Sequence, residues 1–144
     1  MGFLDRLAGK RESSVTLTVL ELPAGAHVGV VGESHYQDAL RKTARLATSD
    51  ESGERVFRAI LVHERENQHD PNAIAVWSEV GQIGHLSREA AAEYQPVFEE
   101  IARRRCRGGT CPGVLYGGTP DTPSYRAVLR LSIPRICLDE LDDE

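Results

Sequence analysis

The polar segment 66–72 carries the side chains best suited to bind a ligand. Asn67 and Asp70 favour hydrogen bonds from their side chains to nearby backbone amides, as does Asn72. Pro71 restricts the backbone between them, so this turn can be rigid although it is polar. We expect it to hold a carboxylate and an amide in fixed geometry, facing a ligand hydroxyl or phosphate. The alternative is that Asp70 and Asn72 only shape the turn.

The remaining sequence predicts mainly strands, which would position this turn. Alternating apolar residues, bounded by turn residues, indicate about seven strands. These strands are predicted at residues 15–22, 27–31, 56–64, 73–77, 82–86, 111–116 and 125–133. Their short connections favour a mostly antiparallel, curled sheet or small barrel with helices packed against it, which is an α+β architecture.

Two helices are predicted beside the sheet. Ser34 and Gln37 have the spacing of a capping box, so one helix should begin after Ser34. Ser87 is a suitable N-cap for the second helix, whose apolar residues recur at helical spacing as far as Ile101. Pro96 should kink this second helix or divide it into two short ones.

Charge is unevenly distributed along the chain. The formal net charge is -5, but residues 139–144 alone contain five carboxylates, which leaves 17 acidic and 17 basic residues elsewhere. Residues 101–138 contain seven arginines and one acidic residue, Asp121. We therefore expect a domain at 13–138 with a basic C-terminal third, followed by a disordered acidic tail. The tail is either a solvated end or a competitor for the basic surface.

The N-terminal segment and the cysteines bear on the cellular compartment. Residues 1–12 lack the features of a secretory signal, and we expect them to be flexible. The odd number of cysteines (Cys106, Cys111 and Cys137) suits a reducing compartment, so we expect free thiols in a cytoplasmic protein. No apolar run reaches the roughly 20 residues that a membrane-spanning helix needs.

The segment around the polar turn resembles the signature of HIRAN domains. The matching residues are 67–76 (NQHDPNAIAV), Gly81, 83–86 (IGHL), Arg88, Glu89 and Ala91. Residues 30–36 and 57–64 match the first half of the family, and the resemblance extends over about residues 27–133. HIRAN domains occur in fork-remodelling helicases and as isolated bacterial proteins. The resemblance implies an OB-like or SH3-like barrel that captures the 3′-hydroxyl end of single-stranded DNA.

The same resemblance implies a pocket for the terminal nucleotide. Asp70 would accept a hydrogen bond from the 3′-hydroxyl, with Asn67 beside it. His85 would line the same pocket. Arg88, at the start of a helix, would meet a phosphate.

Stacking and phosphate contacts are the other implied elements. His69 stands where the helicase members of the family carry tyrosine, and its imidazole can still stack. Bases would also stack on His35 or Tyr36 and on Tyr125, while Arg126 would neutralise a phosphate. The alternative for Tyr36 is a core residue on a helix face. Likewise, the arginine run 103–107 either meets phosphates or favourably ends a helix.

These observations leave two functions open. One is a module that captures single-stranded DNA ends, accessory to DNA repair or replication, with a helicase or nuclease as partner. The other is a module that binds a protein or peptide in the same groove. No HExxH motif or phosphate-binding loop is present, so we expect no enzyme and no cofactor. The enzyme alternative is a metal site formed by His63, His69, His85 and Asp70.

Overall fold

The alternating segments of the sequence form one curled sheet in the computed structural model, which describes residues 18–142. The strands in this part of the chain are β1 (Val19–Glu21), β2 (His27–Val31), β3 (Thr48–Ser49), β4 (Arg55–His63), β5 (Ile74–Ser78), β6 (Gly81–Leu86), β7 (Gly108–Tyr116) and β8 (Arg126–Arg130). The helices are α1 (Gln37–Leu46), α2 (Arg88–Glu93), α3 (Gln95–Arg103) and α4 (Pro134–Asp142). A short 3-10 helix, Glu33–His35, precedes α1.

Six of these strands close into an antiparallel barrel. They follow the order β7, β8, β2, β6, β5 and β4, and β4 returns to pair with β7. The closing register runs from Arg55 opposite Leu115 to Leu61 opposite Gly109. Strand β1 pairs in parallel with the start of β7, and β3 pairs with the start of β4. The prediction of a mainly antiparallel, OB-like barrel is confirmed.

Strands and helices together form the main hydrophobic core. Inward-facing strand residues such as Ile74 and Val76 pack with Val97 and Phe98 of α3, and all four are almost fully buried. Each such side chain contributes about 1.5–3 kcal/mol when it leaves water. A glycine at position 113 lets the Phe57 ring pack against the backbone of β7, because a Cβ there would lie 2.4 Å from this ring.

The helices differ in number from the two that were predicted. The second predicted helix is divided at Tyr94, because Pro96 opens a new helix, α3, as expected of a proline in a first turn. Ser87 caps α2 as predicted, and its hydroxyl accepts the amide of Ala90 at 3.1 Å. The predicted capping box at Ser34 is wrong: residues 33–35 form the 3-10 helix, and α1 has no side-chain cap.

The C-terminal segment also differs from the prediction. Residues 139–142 were expected to be disordered, but they form the last turn of α4. Cys137 and Leu141 are one helical turn apart and both are buried in the core. The guanidinium of Arg104 also donates to the carbonyl of Leu141. Apolar burial on one face of α4 thus outweighs the acidic composition of the segment.

Two further sequence predictions concern the termini and the thiols. The predicted flexible segment 1–12, the first residues of strand 15–22 and the last two acidic residues lie outside the described residues. Cys106, Cys111 and Cys137 are free thiols. Burial raises the pKa of Cys111 to about 12 and that of Cys137 to about 11. No helix within residues 18–142 is both long and apolar enough to cross a membrane.

Candidate nucleic-acid interface

The polar turn between β4 and β5 is held by its own side chains. Asn67 Oδ1 accepts the backbone amides of His69 at 2.9 Å and Asp70 at 3.0 Å. Its Nδ2 donates to the carboxylate of Glu64 at 3.3 Å. The amide of Ala73 closes the turn on the carbonyl of Asp70 at 3.0 Å. The expected rigidity therefore has a physical basis, because one amide side chain binds two consecutive backbone amides and a neighbouring carboxylate.

Asp70 uses one carboxylate oxygen for the turn. Its Oδ1 accepts the amide of Asn72 at 3.0 Å, while its Oδ2 lies 4.0 Å from Nε of Arg88. That distance is too long for a hydrogen bond. The Asp70 side chain is 23% exposed, and that of Arg88 is 78% exposed. Oδ2 therefore keeps its capacity to accept a hydrogen bond from a ligand.

His85 lies beside this turn and is joined to it through Glu64. Its Nε2 is 2.9 Å from Oε1 of Glu64, the same oxygen that accepts from Asn67. A carboxylate can only accept, so Nε2 of His85 carries the hydrogen in this contact. Glu64 thus holds both side chains at one edge of the barrel.

A second cluster of predicted residues lies where β2 leads into α1. Gln37 Nε2 donates to the carbonyl of Tyr125 at 3.0 Å, and its Oε1 accepts the amide of Tyr125 at 2.8 Å. Oε2 of Glu33 accepts the amide of Ala127 at 2.5 Å. Burial raises the pKa of Glu33, although the Ala127 amide and Arg126 oppose that rise. These bonds tie the 33–37 corner to the start of β8.

The aromatic residues of this second cluster differ in their freedom to stack. The ring of Tyr125 is already engaged, since the Arg55 guanidinium lies 5.9 Å from its centre. The backbone of Gly118 also lies against this ring, where a Cβ would come within 2.4 Å. His35 is exposed and Tyr36 is partly exposed. Of the three predicted stacking residues in this cluster, His35 and Tyr36 are therefore better placed than Tyr125 to meet a base.

Strand β6 connects the two clusters. His85 is the cross-strand neighbour of Val31 on β2 and of Ala75 on β5. Val31 is an exposed valine, 45% accessible, and cross-strand neighbours lie on the same face of a sheet. The 33–37 corner follows directly after β2. His85 and Val31 therefore lie between the Asp70 turn and the corner that carries Tyr36.

Comparison with known protein families assigns the chain to one of them. A family model described as HIRAN domain matches residues 22–113, which is more than half of the 144 residues. The chain belongs to the HIRAN domain family. No curated protein and no solved structure matches the sequence. HIRAN domains bind nucleic acid and are not catalytic by themselves.

The HIRAN match contains most of the residues singled out in the sequence. The matched residues are Asn67, His69, Asp70, His85, Arg88, His35 and Tyr36. The structure brings Asn67, Asp70 and Arg88 together, with His85 joined through Glu64 and His69 exposed on the same turn. Tyr125 and Arg126 lie beyond the match, and Tyr125 reaches the corner through Gln37. Their roles in binding remain predictions.

Sequence reasoning missed three residues of this HIRAN surface. Glu64 was treated as the end of a strand and Gln37 as part of a cap, although each bridges two segments. Val31 was counted only as a strand residue. Its exposure could have been read from the alternation of β2, in which His27, Gly29 and Val31 face outward and are all exposed.

The geometry bears on two alternatives raised by the sequence, the metal site and the role of the arginine run 103–107. Within residues 18–142, no group of three or more His, Cys, Asp or Glu side chains could hold a metal ion. In the arginine run, Arg103 and Arg104 both pair with Glu100, at 2.5 and 3.0 Å. Such pairs within one helix favour the reading in which these two arginines stabilise the end of α3.

Proposed function

We propose that this HIRAN domain captures the 3′-hydroxyl end of single-stranded DNA. One observation carries the proposal: a turn ordered by Asn67 leaves Oδ2 of Asp70 free to accept, beside the exposed Arg88. A terminal 3′-hydroxyl would donate to Oδ2. A 3′-phosphate would instead place negative charge against the carboxylate, and juxtaposed like charges are unfavourable. The site therefore favours an unmodified end.

The neighbouring side chains suit the rest of the terminal nucleotides. Arg88 is free to turn from Asp70 toward a phosphate, since only a 4.0 Å contact holds it. Beyond it, His85 and Val31 line the surface that leads to Tyr36. A base stacked on an aromatic ring contributes about 1–3 kcal/mol in proteins that bind single strands. We therefore expect the strand to run from Asp70 at its 3′ end toward Tyr36.

Capture of an end suits an accessory role. A domain that holds a 3′ end without cleaving it can present that end to a second protein. We propose that this role lies in DNA repair or replication in the cytoplasm, with a helicase or nuclease as the partner.

Fluorescence anisotropy with matched oligonucleotides tests the function. The probe is a short single strand ending in a 3′-hydroxyl, compared with the same strand ending in a 3′-phosphate and with a 5′-phosphorylated control. We expect at least about tenfold tighter binding to the free 3′-hydroxyl, the effect of one hydrogen bond to a charged group. The 5′-phosphate should change the affinity little. Equal, weak binding to all three strands would reject end capture and favour a protein or peptide partner.

A further inference from the structure

Two side chains outside the turn hold the carbonyls that follow Asp70. His63, the last residue of β4, places Nε2 2.7 Å from the carbonyl oxygen of Pro71. Gln95, the first residue of α3, donates from Nε2 to the carbonyl of Asn72 at 2.8 Å. The same amide is 2.9 Å from the carbonyl of Ala91. The turn is thus fastened to the barrel on one side and to α3 on the other.

The contact with Pro71 requires a hydrogen on one ring nitrogen of His63. A carbonyl oxygen can only accept, so Nε2 of His63 donates in this bond. Among residues 18–142, Nδ1 of His63 is the buried side-chain nitrogen or oxygen found without a hydrogen-bond partner. Such an unsatisfied buried group destabilises the fold and calls for an explanation. The His63 ring is held in place by an edge-on contact with Phe98, 6.4 Å between ring centres.

We propose that His63 and Gln95 are positioning residues for 3′-end recognition, an inference that rests on the proposed function. Each side chain bonds to a backbone carbonyl of the turn and not to the Asp70 carboxylate. The Oδ1 bonds of Asn67 order the turn internally, and its Nδ2 joins the start of the turn to Glu64. The two outer bonds hold Pro71 and Asn72, the residues that directly follow Asp70. Supporting hydrogen bonds of this kind hold the groups of a binding site in a defined geometry. This role would explain why a histidine with an unpartnered Nδ1 occupies the position.

The first test separates orientation from overall binding. His63→Phe keeps a ring against Phe98 and removes both the donor and the buried nitrogen. We expect the ratio of 3′-hydroxyl to 3′-phosphate affinity to fall about fivefold, the effect of one typical hydrogen bond. Affinity for the 3′-phosphate strand should not change. His63→Gln restores a donor at similar reach and should recover the ratio. His27→Phe, at an exposed position of β2, is the matched control and should behave as wild type.

Stability measurements and a second variant exclude a folding defect. Because His63→Phe removes an unsatisfied buried group, its denaturant midpoint should equal or exceed that of wild type. Gln95→Met removes the other bond without a ring change and should also lower the selectivity ratio. Combining the two substitutions should lower it further than either alone. In both variants, amide exchange at Asp70 and Asn72 should accelerate.

The outcomes distinguish the inference from the function. Nitrogen NMR of the imidazole should find Nε2 of His63 protonated, and an unprotonated Nε2 would overturn the inference. Selectivity retained in both His63→Phe and Gln95→Met would overturn it as well, with end capture intact. If wild type shows no preference for a 3′-hydroxyl, end capture fails and this inference fails with it.

Discussion

Two loops of this barrel each use an aspartate to order their backbone, with different results. In the 50–54 loop, Oδ1 of Asp50 accepts the amides of Ser52 and Glu54 at 3.0 and 3.1 Å, and Oδ2 accepts from Arg130 at 3.0 Å. In the 67–72 turn, Asp70 accepts one amide with Oδ1, and Oδ2 faces Arg88 at 4.0 Å. Both carboxylate oxygens of Asp50 accept hydrogen bonds from the protein, whereas only Oδ1 of Asp70 does so.

The arginines show the same contrast. Arg130 is 26% exposed and also binds Glu54 at 2.6 Å, whereas Arg88 is 78% exposed. Hydrogen bonds from the Ser52 side chain and from Arg130 lower the pKa of Asp50 to about 2. A closed network of this kind stabilises a loop. An open one leaves a donor and an acceptor free for a ligand, which is why the Asp70 turn is the better candidate for binding.

The largest effect should come from replacing the Asp70 carboxylate with an amide. Asp70→Asn keeps the acceptor for the Asn72 amide and removes the charge that receives the 3′-hydroxyl. We expect the preference for a 3′-hydroxyl over a 3′-phosphate to fall about ten- to hundredfold, because hydrogen bonds to charged groups contribute about 1.5–3 kcal/mol. Asp50→Asn is the matched control and should keep the preference. Equal losses in both variants would remove the distinction between the loops.

Replacing the two arginines should give a smaller difference. Arg88→Ala should weaken binding to both kinds of end by about three- to tenfold and reduce the salt slope by about one unit, because one phosphate contact is lost. Arg130→Met should leave the slope unchanged, since that side chain already serves Asp50 and Glu54. Titrations at several salt concentrations measure both. A slope lowered by Arg130→Met but not by Arg88→Ala would reverse the assignment.

The smallest effect concerns stability in acid. The folded-state pKa of Asp50 is about 2, below its ordinary value of 3.8. A lowered carboxyl pKa means that its stabilising effect is complete above about pH 4 and is lost as the pH falls toward 2. The pKa of Glu54 is also lowered, mainly by the hydroxyl of Tyr116 and then by Arg130. The denaturant midpoint of Asp50→Asn should therefore change less than that of wild type between pH 4 and 2. Equal changes in the two proteins would contradict this.

Local patterns predicted the strands and the second helical region closely. The strand predicted at 27–31 is β2 itself, and Ser87 and Pro96 act at the positions expected of a cap and a helix breaker. The capping box at Ser34 failed because the side chain of Gln37 binds Tyr125, 88 residues away. The disordered tail failed because Leu141 is buried in the core. Both errors arose where a distant partner outweighed local preference.

In the candidate site, too, some features follow from local sequence and others from tertiary contacts. By itself the sequence determined that residues 67–72 form an ordered polar turn, because Asn67 and Asp70 reach amides only two or three residues away. It also carried the family signature. The tertiary structure alone decided that Oδ2 of Asp50 accepts a hydrogen bond from Arg130, 80 residues away, while Oδ2 of Asp70 lies 4.0 Å from Arg88 and can accept from a ligand. It likewise decided that His63 supports the turn, since such contacts depend on how the barrel closes and not on the preferences of neighbouring residues.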